Sequence, residues 1–474
     1  MLWDAGLWVG LRHLGCTLKR CAQGLHDNSI EICDAYTGRR VSLWSLGTMG
    51  IYLGLDFGTS GARLMAIDEA KAVQLSQCFP FSPAQCRDPW AWRSALENLL
   101  GSLPQALAQE VAAIALNGTS ATVVLCDGQG EPVAPPLLYC DSQGSAVLPH
   151  LAQWVPGGHL VLSATSSLAK LVWWQQQQGW TAPPPGLHLL HQADWLAFWL
   201  HGHLGYTDYH NALKLGYDVA ALAYPDWLRD HPVLAPLLPQ VVPPGTSWGP
   251  LVPALAQRWG FPPETQICAG TTDSIGAFLA SGATEPGQAV TSLGSTLVVK
   301  LLSRSPVEDN ALGIYSHRLG DRWLVGGASN TGGAVLAQFF TPEQLATLSL
   351  EINPHEPSPL NYYPLTCPGE RFPINDPHLL PCLTPIPEDP VQLLHGLLEG
   401  MARIEAQGYA VLRERGADRL THVYTAGKGA TNGPWQGIRQ RCLGVPVVAS
   451  EHTEAAYGTA LLAHGGIAAS RRLG

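Results

Sequence analysis

The sequence predicts an α/β protein with two similar lobes. A β-hairpin pattern with a glycine- and hydroxyl-rich turn occurs twice, in YLGLDFGTSGARLMAID (52–68) and in AVTSLGSTLVVKLL (289–302). From residue 51 onward, segments with helical periodicity alternate with short apolar runs. A third glycine loop, TAGKGATNG (425–433), follows a predicted strand and precedes a predicted helix. These observations favour two lobes whose glycine turns face one cleft.

Composition limits the possible functions. The chain has 474 residues, enough for two or three domains at roughly 150 residues each. Its net charge of -10 argues against a nucleic-acid partner, because such binding depends on Lys and Arg neutralising phosphates. No apolar run approaches the ~20 residues of a membrane span. The 11 cysteines include no CxxC pair, which favours reduced thiols and a cytoplasmic protein.

The first half of the chain opens with an unusual segment and continues with regular elements. Residues 1–48 show no clear period, so we expect either that Met49 is the true start of the protein or that this segment is a loose extension. IYLGLDFG and ARLMAID are predicted strands on either side of the first turn, followed by strands in VAAIALNG and TVVLCDGQGEPV. SSLAKLVWWQQQQ and ADWLAFWLH have helical spacing. Proline-rich breaks follow at 182–186 and 236–250.

The second half repeats the strand-turn-strand pattern and ends in helices. A second α/β block begins near Gly287. The proline-dense region 353–390 is predicted to be a long surface excursion, and a long helix is predicted over 390–414. Residues 421–451 indicate a strand, a glycine loop, a helix and a strand, and EAAYGTALLAHG (454–465) is the last predicted helix.

The glycine turns are candidate phosphate sites. Glycines allow successive backbone N–H groups to point into one concavity, and Thr and Ser hydroxyls add further donors. The third loop is neither a dinucleotide fingerprint, since Asn432 replaces the last glycine of GxGxxG, nor a P-loop, since the GK[ST] ending is missing. It can still let a flat base approach the backbone closely.

The segment CAGTTDSIGAFLASG (268–282) offers a candidate acidic residue. Thr271 or Thr272 is predicted to cap a helix whose first turn contains Asp273. A carboxylate there stabilises the helix through its dipole, and that role alone would explain the residue. The alternative is functional: Asp273 would accept a proton from a substrate hydroxyl, as an Asp does in many phosphoryl transfers.

Taken together, the motifs resemble a known family. The ordered set DFGTSGAR, NGTSAT, YCDSQG, GTTDS, SLGST and TAGKGATN is similar to that of the FGGY carbohydrate kinases, over residues 51–474. The resemblance implies an α/β protein with two ribonuclease H-like domains of the actin/sugar kinase/Hsp70 fold around an ATP cleft. It implies an N-terminal sugar-binding domain at 49–285 and a C-terminal nucleotide-binding domain at 286–474. LNYYPLTCPGERFPINDP and HNALKLGYD resemble the cyanobacterial and plant-type D-ribulokinases, also called xylulose kinase-like proteins.

The resemblance also implies roles for individual residues, with ATP and Mg²⁺ as cofactors. Asp273 matches the family's catalytic base, and Asp56 matches the acid near the reacting hydroxyl and Mg²⁺, which it would bind directly or through water. Ser120, Asp141 and the two acids match positions on the sugar side. The residues that match the ATP site are Gly58, Thr59, Ser60 and Arg63 in the first hairpin, Gly294, Ser295 and Thr296 in the second, and Gly427 and Asn432 in the adenosine loop.

The chain departs from the family pattern in three places. Many relatives carry an Arg two residues after the acid that matches Asp141, where this chain has Gln143. Glycerol kinases have an Arg-Glu pair at 120–122, where this chain has Ser-Ala-Thr, so glycerol is disfavoured. Lys428 stands where the family often has Gly, and the pattern assigns it no role.

The expected activity is ATP-dependent phosphorylation of a terminal sugar hydroxyl. D-Ribulose is the favoured acceptor and D-xylulose the alternative. A nucleotide-driven ATPase of the same fold and an inactive sugar sensor remain open, because fold does not fix function. The expected partners are therefore the sugar and ATP, without nucleic acid or membrane, and the sequence does not define an oligomeric state.

Overall fold

The computed structural model describes residues 30–33, 40–43, 50–182 and 184–471. Residues 1–50 form a unit of their own, in which Ile30–Cys33 and Arg40–Leu43 pair as an antiparallel hairpin. Apart from that hairpin, the predicted extension 1–48 lies outside the described residues. Residues 51–474 form the second unit.

Two six-stranded sheets form the centre of the second unit, and five strands of each share one layout. In each, the first strand of the hairpin pairs with its antiparallel hairpin partner on one side and with the first of two parallel strands on the other, while the sixth strand lies at opposite edges of the two sheets. The first sheet has the order Ser247–Pro250, Gln266–Thr272, Val111–Gly118, Ile51–Phe57, Gly61–Ile67 and Val73–Pro80. The second has the order Val447–Ala449, His422–Ala426, Gln288–Leu293, Leu297–Ser303, Arg322–Ser329 and Tyr315–Leu319. The repeated layout confirms the predicted α/β fold with two similar lobes.

Helices and two small sheets complete the unit. The small sheets are the antiparallel pair Val123–Cys126 and His188–His191 and the parallel pair Tyr206–Asp208 and Gln240–Val242. The α-helices are Pro89–Gly101, Gln105–Ala108, Leu148–Leu151, Ser167–Gln178, Gln192–His201, Tyr209–Ala212, Asp226–Arg229, Pro253–Trp259, Asp273–Ala280, Gly333–Leu336, Pro342–Ser349, Pro390–Glu414, Gly433–Leu443 and Ala455–Arg471. Short 3-10 helices span Gln85–Arg87, Gln143–Val147, Leu213–Leu215, Ala235–Leu237 and Lys428–Thr431.

The strand Ile51–Phe57 is apolar up to Asp56 because both of its faces are covered. Leu53 and Leu55 pack into a core formed with helices Pro89–Gly101 and Gln192–His201. The opposite face contacts the final helix of the chain so closely that a Cβ on Gly54 would lie 2.0 Å from the carbonyl oxygen of Ala456. Continuous burial on both faces is typical of a central strand.

The final helix, Ala455–Arg471, packs on the first sheet although it follows the strands of the second. It crosses helix Asp273–Ala280 where Gly458 meets Gly276, and a Cβ on Gly458 would lie 1.9 Å from the carbonyl oxygen of Gly276. The last segment of the chain therefore supports the helix that carries Asp273.

Several sequence predictions differ from the structure in detail. The edge strand Val73–Pro80 is not among the predicted elements, since its side chains alternate only between exposed and half-buried. The proline-dense region 353–390 is not purely a surface excursion. Phe372 is 1% exposed and packs against Gly327 and Gly408 in the core of the second sheet. The predicted helix over 390–414 is confirmed as Pro390–Glu414.

No described helix combines the length and apolar character needed to cross a lipid bilayer. The eight cysteines between residues 50 and 471 are free thiols.

Candidate active site

Two carboxylates lie at the carboxyl ends of strands in the first sheet. Asp56 is the penultimate residue of Ile51–Phe57, and Asp273 begins the helix that follows Gln266–Thr272. Both strands run parallel to Val111–Gly118, which lies between them, so their carboxyl ends meet at one edge of the sheet. The fold thus brings the two predicted catalytic acids to one region.

Asp56 sits in a position that disfavours its negative charge. Burial, and next the charge of Asp273, raise its pKa to about 7, while Arg63 opposes the shift. The buried Oδ1 atom of Asp56 has no hydrogen-bond partner among the described residues. An ionised carboxylate in such a position favours a bound cation or a hydroxyl donor.

The negative charge of Asp273 is stabilised by more neighbouring groups than that of Asp56. Burial raises its pKa, but the backbone N–H of Ser274 donates to its Oδ1 at 2.7 Å, and the charges of Lys300 and Lys214 also favour the ionised form. The predicted cap at Thr271 or Thr272 is confirmed as Thr272, which occupies the N-cap position, although its buried hydroxyl makes no hydrogen bond. Asp273 is therefore a partly buried, ionisable acid at the start of the helix.

Lys300 reaches Asp273 from the second sheet. Its Nζ donates to the carbonyl oxygen of Ser274 at 2.8 Å. The same side of the second sheet packs against helix Asp273–Ala280 through an apolar cluster that includes Ile275 and Phe278. Gly326 leaves room for the lysine, since a Cβ there would lie 3.2 Å from its side chain. Lys300 of the second sheet thus helps to hold the first turn of the helix that carries Asp273.

The first glycine turn is an open hairpin tip. The N–H of Gly58 donates to the carbonyl of Gly61 at 3.0 Å, and the hydroxyls of Thr59 and Ser60 are exposed. Arg63 lies opposite Asp56 in the strand register and forms an ion pair with Glu454. The tip can therefore offer N–H groups and hydroxyls to an anion, whereas Arg63 already has an acidic partner.

The second glycine turn rests on the start of a short helix. The N–H of Gly333 donates to the carbonyl of Gly294 at 2.8 Å, and the N–H of Ala334 donates to that of Ser295 at 3.1 Å. The N–H of Gly294 donates to the carbonyl of Thr296 at 3.2 Å, which closes the turn. The turn is therefore fixed from behind, and Gly294 and Ser295 are exposed on the other side.

A cavity of about 770 Å³ lies next to the second turn. Gly294, Ser295, Gly427, Lys428 and Asn432 line it. Sequence reasoning missed its other wall, which comes from helix Pro342–Ser349 and the segment before it, Gly333–Phe340. The apolar side chains of this wall, with backbone from the glycine loop opposite, suit a flat aromatic ring.

Asn432 has a structural part in this cavity. Its Oδ1 accepts the N–H of Trp435, which caps helix Gly433–Leu443, and its Nδ2 donates to the hydroxyl of Ser349 at 2.8 Å. It therefore joins the two walls. Gly427 adopts φ +87°, and a Cβ there would lie 2.6 Å from the carbonyl oxygen of Leu293, so the loop requires glycine at this position.

The predicted sugar-side residues lie on two neighbouring turns. The backbone N–H of Ser120 faces Asp273 and favours its ionised form. Asp141 forms a two-fold hydrogen-bonded ion pair with Arg87, at 3.0 and 2.7 Å, which holds the pKa of Asp141 below its usual range. Arg87 thus supplies a guanidinium beside Asp141, although the chain has Gln143 two residues after this acid. No local pattern indicates this pair, because its two residues are 54 positions apart in the chain.

A second cavity, of about 480 Å³, contains a lysine that sequence reasoning missed. Lys214 and Tyr315 line it, together with hydroxyl and amide side chains such as Ser163, Thr165 and Asn310. Tyr315 pairs with Gly326, and Gly326 pairs with Lys300, so the cavity lies on the side of the second sheet that faces Asp273. Hydrogen-bonding side chains of this kind suit a polyhydroxyl ligand.

A protein-only metal site is absent from the part of the chain that the structure describes. No three His, Cys, Asp or Glu side chains come together there in a way that could hold an ion. Mg²⁺ does not require such a cluster, since it is commonly bound by one or two carboxylates together with substrate phosphates.

Two family models match the chain. Residues 51–280 match the N-terminal domain of the FGGY family of carbohydrate kinases, and residues 289–465 match the C-terminal domain of the same family. The chain is 27% identical over 438 residues to the xylulose kinase of Streptomyces coelicolor, with 88% of each chain covered. It is 24% identical over 415 residues to the xylulose kinase of Escherichia coli, covering 81% of this chain and 83% of the relative.

Solved structures have the same fold. A xylulose kinase from Rhodospirillum rubrum superposes with a TM-score of 0.73 at 22% identity, covering 88% of this chain and 90% of that one. Plasmodium falciparum glycerol kinase with ADP superposes with a TM-score of 0.75 at 16% identity, again covering 88% of this chain and 90% of the other.

Proposed function

The chain belongs to the FGGY family of carbohydrate kinases, and from this premise we propose that it transfers the γ-phosphoryl group of ATP to a hydroxyl of a pentulose. It is a sugar kinase, a phosphotransferase with an alcohol group as acceptor. The observation that carries the proposal is the family match over both domains, and the meeting of Asp56 and Asp273 at one sheet edge supports it.

D-Xylulose is the better-supported acceptor. The curated relatives that match along most of the chain are named xylulose kinases, which favours D-xylulose over the D-ribulose expected from the residue pattern. D-Ribulose remains the second candidate, because LNYYPLTCPGERFPINDP and HNALKLGYD resemble the D-ribulokinase subgroup. The two curated relatives described above are both named xylulose kinases and do not support that closer relationship.

Asp273 would act as the general base. Its carboxylate would orient the acceptor hydroxyl and take its proton as the oxygen attacks the γ-phosphorus. Burial raises its pKa above the ordinary value, which makes the carboxylate a stronger proton acceptor, while the Ser274 N–H, Lys300 and Lys214 favour the ionised form. The side chain is partly exposed, so a hydroxyl can reach it.

Asp56 would hold Mg²⁺, directly or through a water molecule. The residue fits that role, since its Oδ1 lacks a donor and its charge is opposed by Asp273, so a cation between phosphate and carboxylate would relieve both. When bound, Mg²⁺ would neutralise charge on the phosphate oxygens during transfer.

ATP would lie between the two sheets. Gly58, Thr59 and Ser60 would contact phosphate from the first sheet, and Gly294, Ser295 and Thr296 from the second. The adenosine would occupy the 770 Å³ cavity beside Gly427 and Asn432. Residues 49–285 would then carry the acceptor and 286–474 the nucleotide, with the final helix returning to the first sheet.

The acceptor would bind on the Asp273 side, near Ser120 and Asp141. The 480 Å³ cavity extends this region, and Lys214 and Tyr315 are additional side chains that could bind its hydroxyl groups. Ser120→Ala is expected to weaken acceptor binding more than ATP binding.

An ADP-release assay with Mg-ATP tests the proposal. The acceptors are D-xylulose, D-ribulose, L-ribulose and glycerol, with a reaction lacking sugar as the control. Release that requires D-xylulose supports the proposal, and release that requires D-ribulose keeps the mechanism and changes the acceptor. Release without any sugar would overturn it in favour of an ATPase.

A further inference from the structure

Lys170 is a buried lysine that is not among the residues assigned to phosphoryl transfer or to ATP binding. It lies on helix Ser167–Gln178 and is 0% exposed. Its Nζ donates to the carbonyl oxygen of Ala121 at 2.7 Å and to that of Leu138 at 2.6 Å. Burying an ammonium group is unfavourable unless its N–H groups find acceptors, and these two carbonyls provide them.

The first carbonyl belongs to a strained turn. Ala121 adopts φ +65°, a left-handed conformation that costs a non-glycine residue energy and persists only when its surroundings fix it. The same turn carries Ser120, whose N–H faces Asp273. Hydrogen bonds of Thr119 and Thr122, including a 3.1 Å bond from the Thr122 N–H to the Thr119 carbonyl, close the turn. The hydrogen bond from Lys170 orients the strained peptide within it.

The second carbonyl belongs to the turn that carries Asp141. The N–H of Asp141 donates to the carbonyl of Leu138 at 2.9 Å, and the N–H of Leu138 donates to the Oδ2 of Asp141 at 2.8 Å. Arg87 binds the same carboxylate from the other side. Lys170 is thus hydrogen-bonded to the backbone of both turns on the sugar side.

We propose that Lys170 is a positioning residue for acceptor binding, which joins the Ser120 turn and the Asp141 turn and holds them at a fixed separation. The inference rests on the proposed function, which places both turns at the acceptor. Lys170 does not touch the acceptor. It acts through the backbone of Ala121 and Leu138.

Lys170→Met tests this role, since methionine has a similar length and no donor. We expect kcat/KM for the acceptor to fall by about tenfold or more, as for the loss of hydrogen bonds to a charged donor, with KM for ATP unchanged. The matched control is Leu171→Ala, on the same helix, because Leu171 is 0% exposed and packs in a cluster that also contains Val123 and Leu137, next to the two turns. Its side chain donates no hydrogen bond, so the variant measures the effect of lost packing alone. That variant loses folding stability and keeps its acceptor KM.

Equal effects of the two variants, at temperatures where both are folded to the same extent, would overturn the proposal. A rise in the KM values for ATP and acceptor by the same factor would also overturn it. If Lys170→Met does not fold, Lys170→Gln replaces it, because glutamine keeps a donor for one carbonyl and should give an intermediate loss.

Amide hydrogen exchange gives a readout that needs no turnover. We expect amides 119–122 and 138–141 to exchange faster in Lys170→Met than in Leu171→Ala, and unchanged protection of both turns would contradict the role of Lys170. If the wild-type protein released no ADP with any sugar, the proposed function would fail while the exchange experiment still tested Lys170.

Discussion

At the residue scale, Asp56 and Asp273 need negative charges for the proposed reaction in surroundings that disfavour those charges. Asp56 has to be ionised to bind a cation, yet burial and the neighbouring Asp273 oppose that charge. Such opposition is typical of functional carboxylates, whose pKa values are shifted by burial and by like charges.

Asp273→Asn should reduce sugar-dependent turnover by about 10²–10⁴-fold, because the amide cannot accept the hydroxyl proton. ATP binding should persist, since the adenosine cavity lies on the second sheet. The rate of ADP release and a direct ATP-binding titration measure the two effects. Glu343→Gln, an exposed change in the first turn of Pro342–Ser349, is the control for general effects of losing a carboxylate. An unchanged rate would remove Asp273 from the mechanism.

Asp56→Asn should stabilise the metal-free protein while it abolishes efficient turnover. The pKa of Asp56 is about 7 in the folded protein against 3.8 as its ordinary value, so the native state binds the proton more tightly. Its ionisation therefore lowers the free energy of unfolding as pH rises from about 4 to about 7, and this loss is complete above pH 7.

Thermal unfolding in EDTA checks the sign. Asp56→Asn should raise the melting temperature at pH 8 and change it much less at pH 4, where the wild-type carboxyl is protonated in the folded state. Mg-ATP should stabilise the wild type more than the variant at pH 8. A variant that is less stable than wild type at pH 8 would show that Asp56 is not under electrostatic strain.

At the element scale, the turn that follows each strand determines which backbone and hydroxyl groups are exposed to a ligand. Both hairpins place a glycine turn at a strand end, but their surroundings differ. The first tip is open, whereas the second rests on the start of Gly333–Leu336. The third loop shows the strictest backbone requirement, because Gly427 has a left-handed φ and lies against Leu293.

Gly427→Ala should selectively damage nucleotide binding. The added Cβ would meet the Leu293 carbonyl, so the loop has to move away from the adenosine cavity. We expect KM for ATP to rise by about tenfold with the acceptor KM nearly unchanged, from a strain of roughly 1–2 kcal/mol. Gly444→Ala is the matched control, with φ +69° and open space around its Cβ position. If both variants gave the same kinetics, the close approach at Gly427 would have no functional role.

At the scale of the whole molecule, residues from both sheets act on Asp273, the proposed general base. Asp273 begins a helix beside the first sheet, but Lys300 from the second sheet contacts its first turn. Other titratable groups that act on Asp273, or respond to its charge, are Asp56, Lys214 and Tyr315. Packing of the two lobes therefore sets the charge of the base as well as its position.

Lys300→Met should shift the acid limb of the kcat/KM pH profile to higher pH. Removing a positive charge makes the Asp273 carboxylate less favourable, so its pKa rises further and a higher pH is needed to ionise the base. Activity should fall more at pH 6 than at pH 8. Arg304→Gln, which removes an exposed cation paired with Asp418, should leave the profile in place. A Lys300→Met loss of equal size at every pH would indicate packing alone.

How much the sequence could predict depends on the range of the interactions involved. Local periodicity predicts Pro390–Glu414 and the hairpin strands, because burial on one helix face or two sheet faces repeats along the chain. The glycine turns and the acids at strand ends are likewise local patterns. The edge strand Val73–Pro80 and the burial of Phe372 have no such periodic signal, since they depend on what packs against them.

The sequence by itself determined the two-lobed α/β fold, the family resemblance and the positions of Asp56 and Asp273, because each is written in short stretches of the chain. Only the tertiary structure decided the partners of those residues. Arg87 beside Asp141, Lys300 beside Asp273, Lys170 beneath Ala121 and the wall opposite Gly427 all come from distant segments. Hydrogen bonds and charges act across space, so their partners are fixed by folding and not by order along the chain.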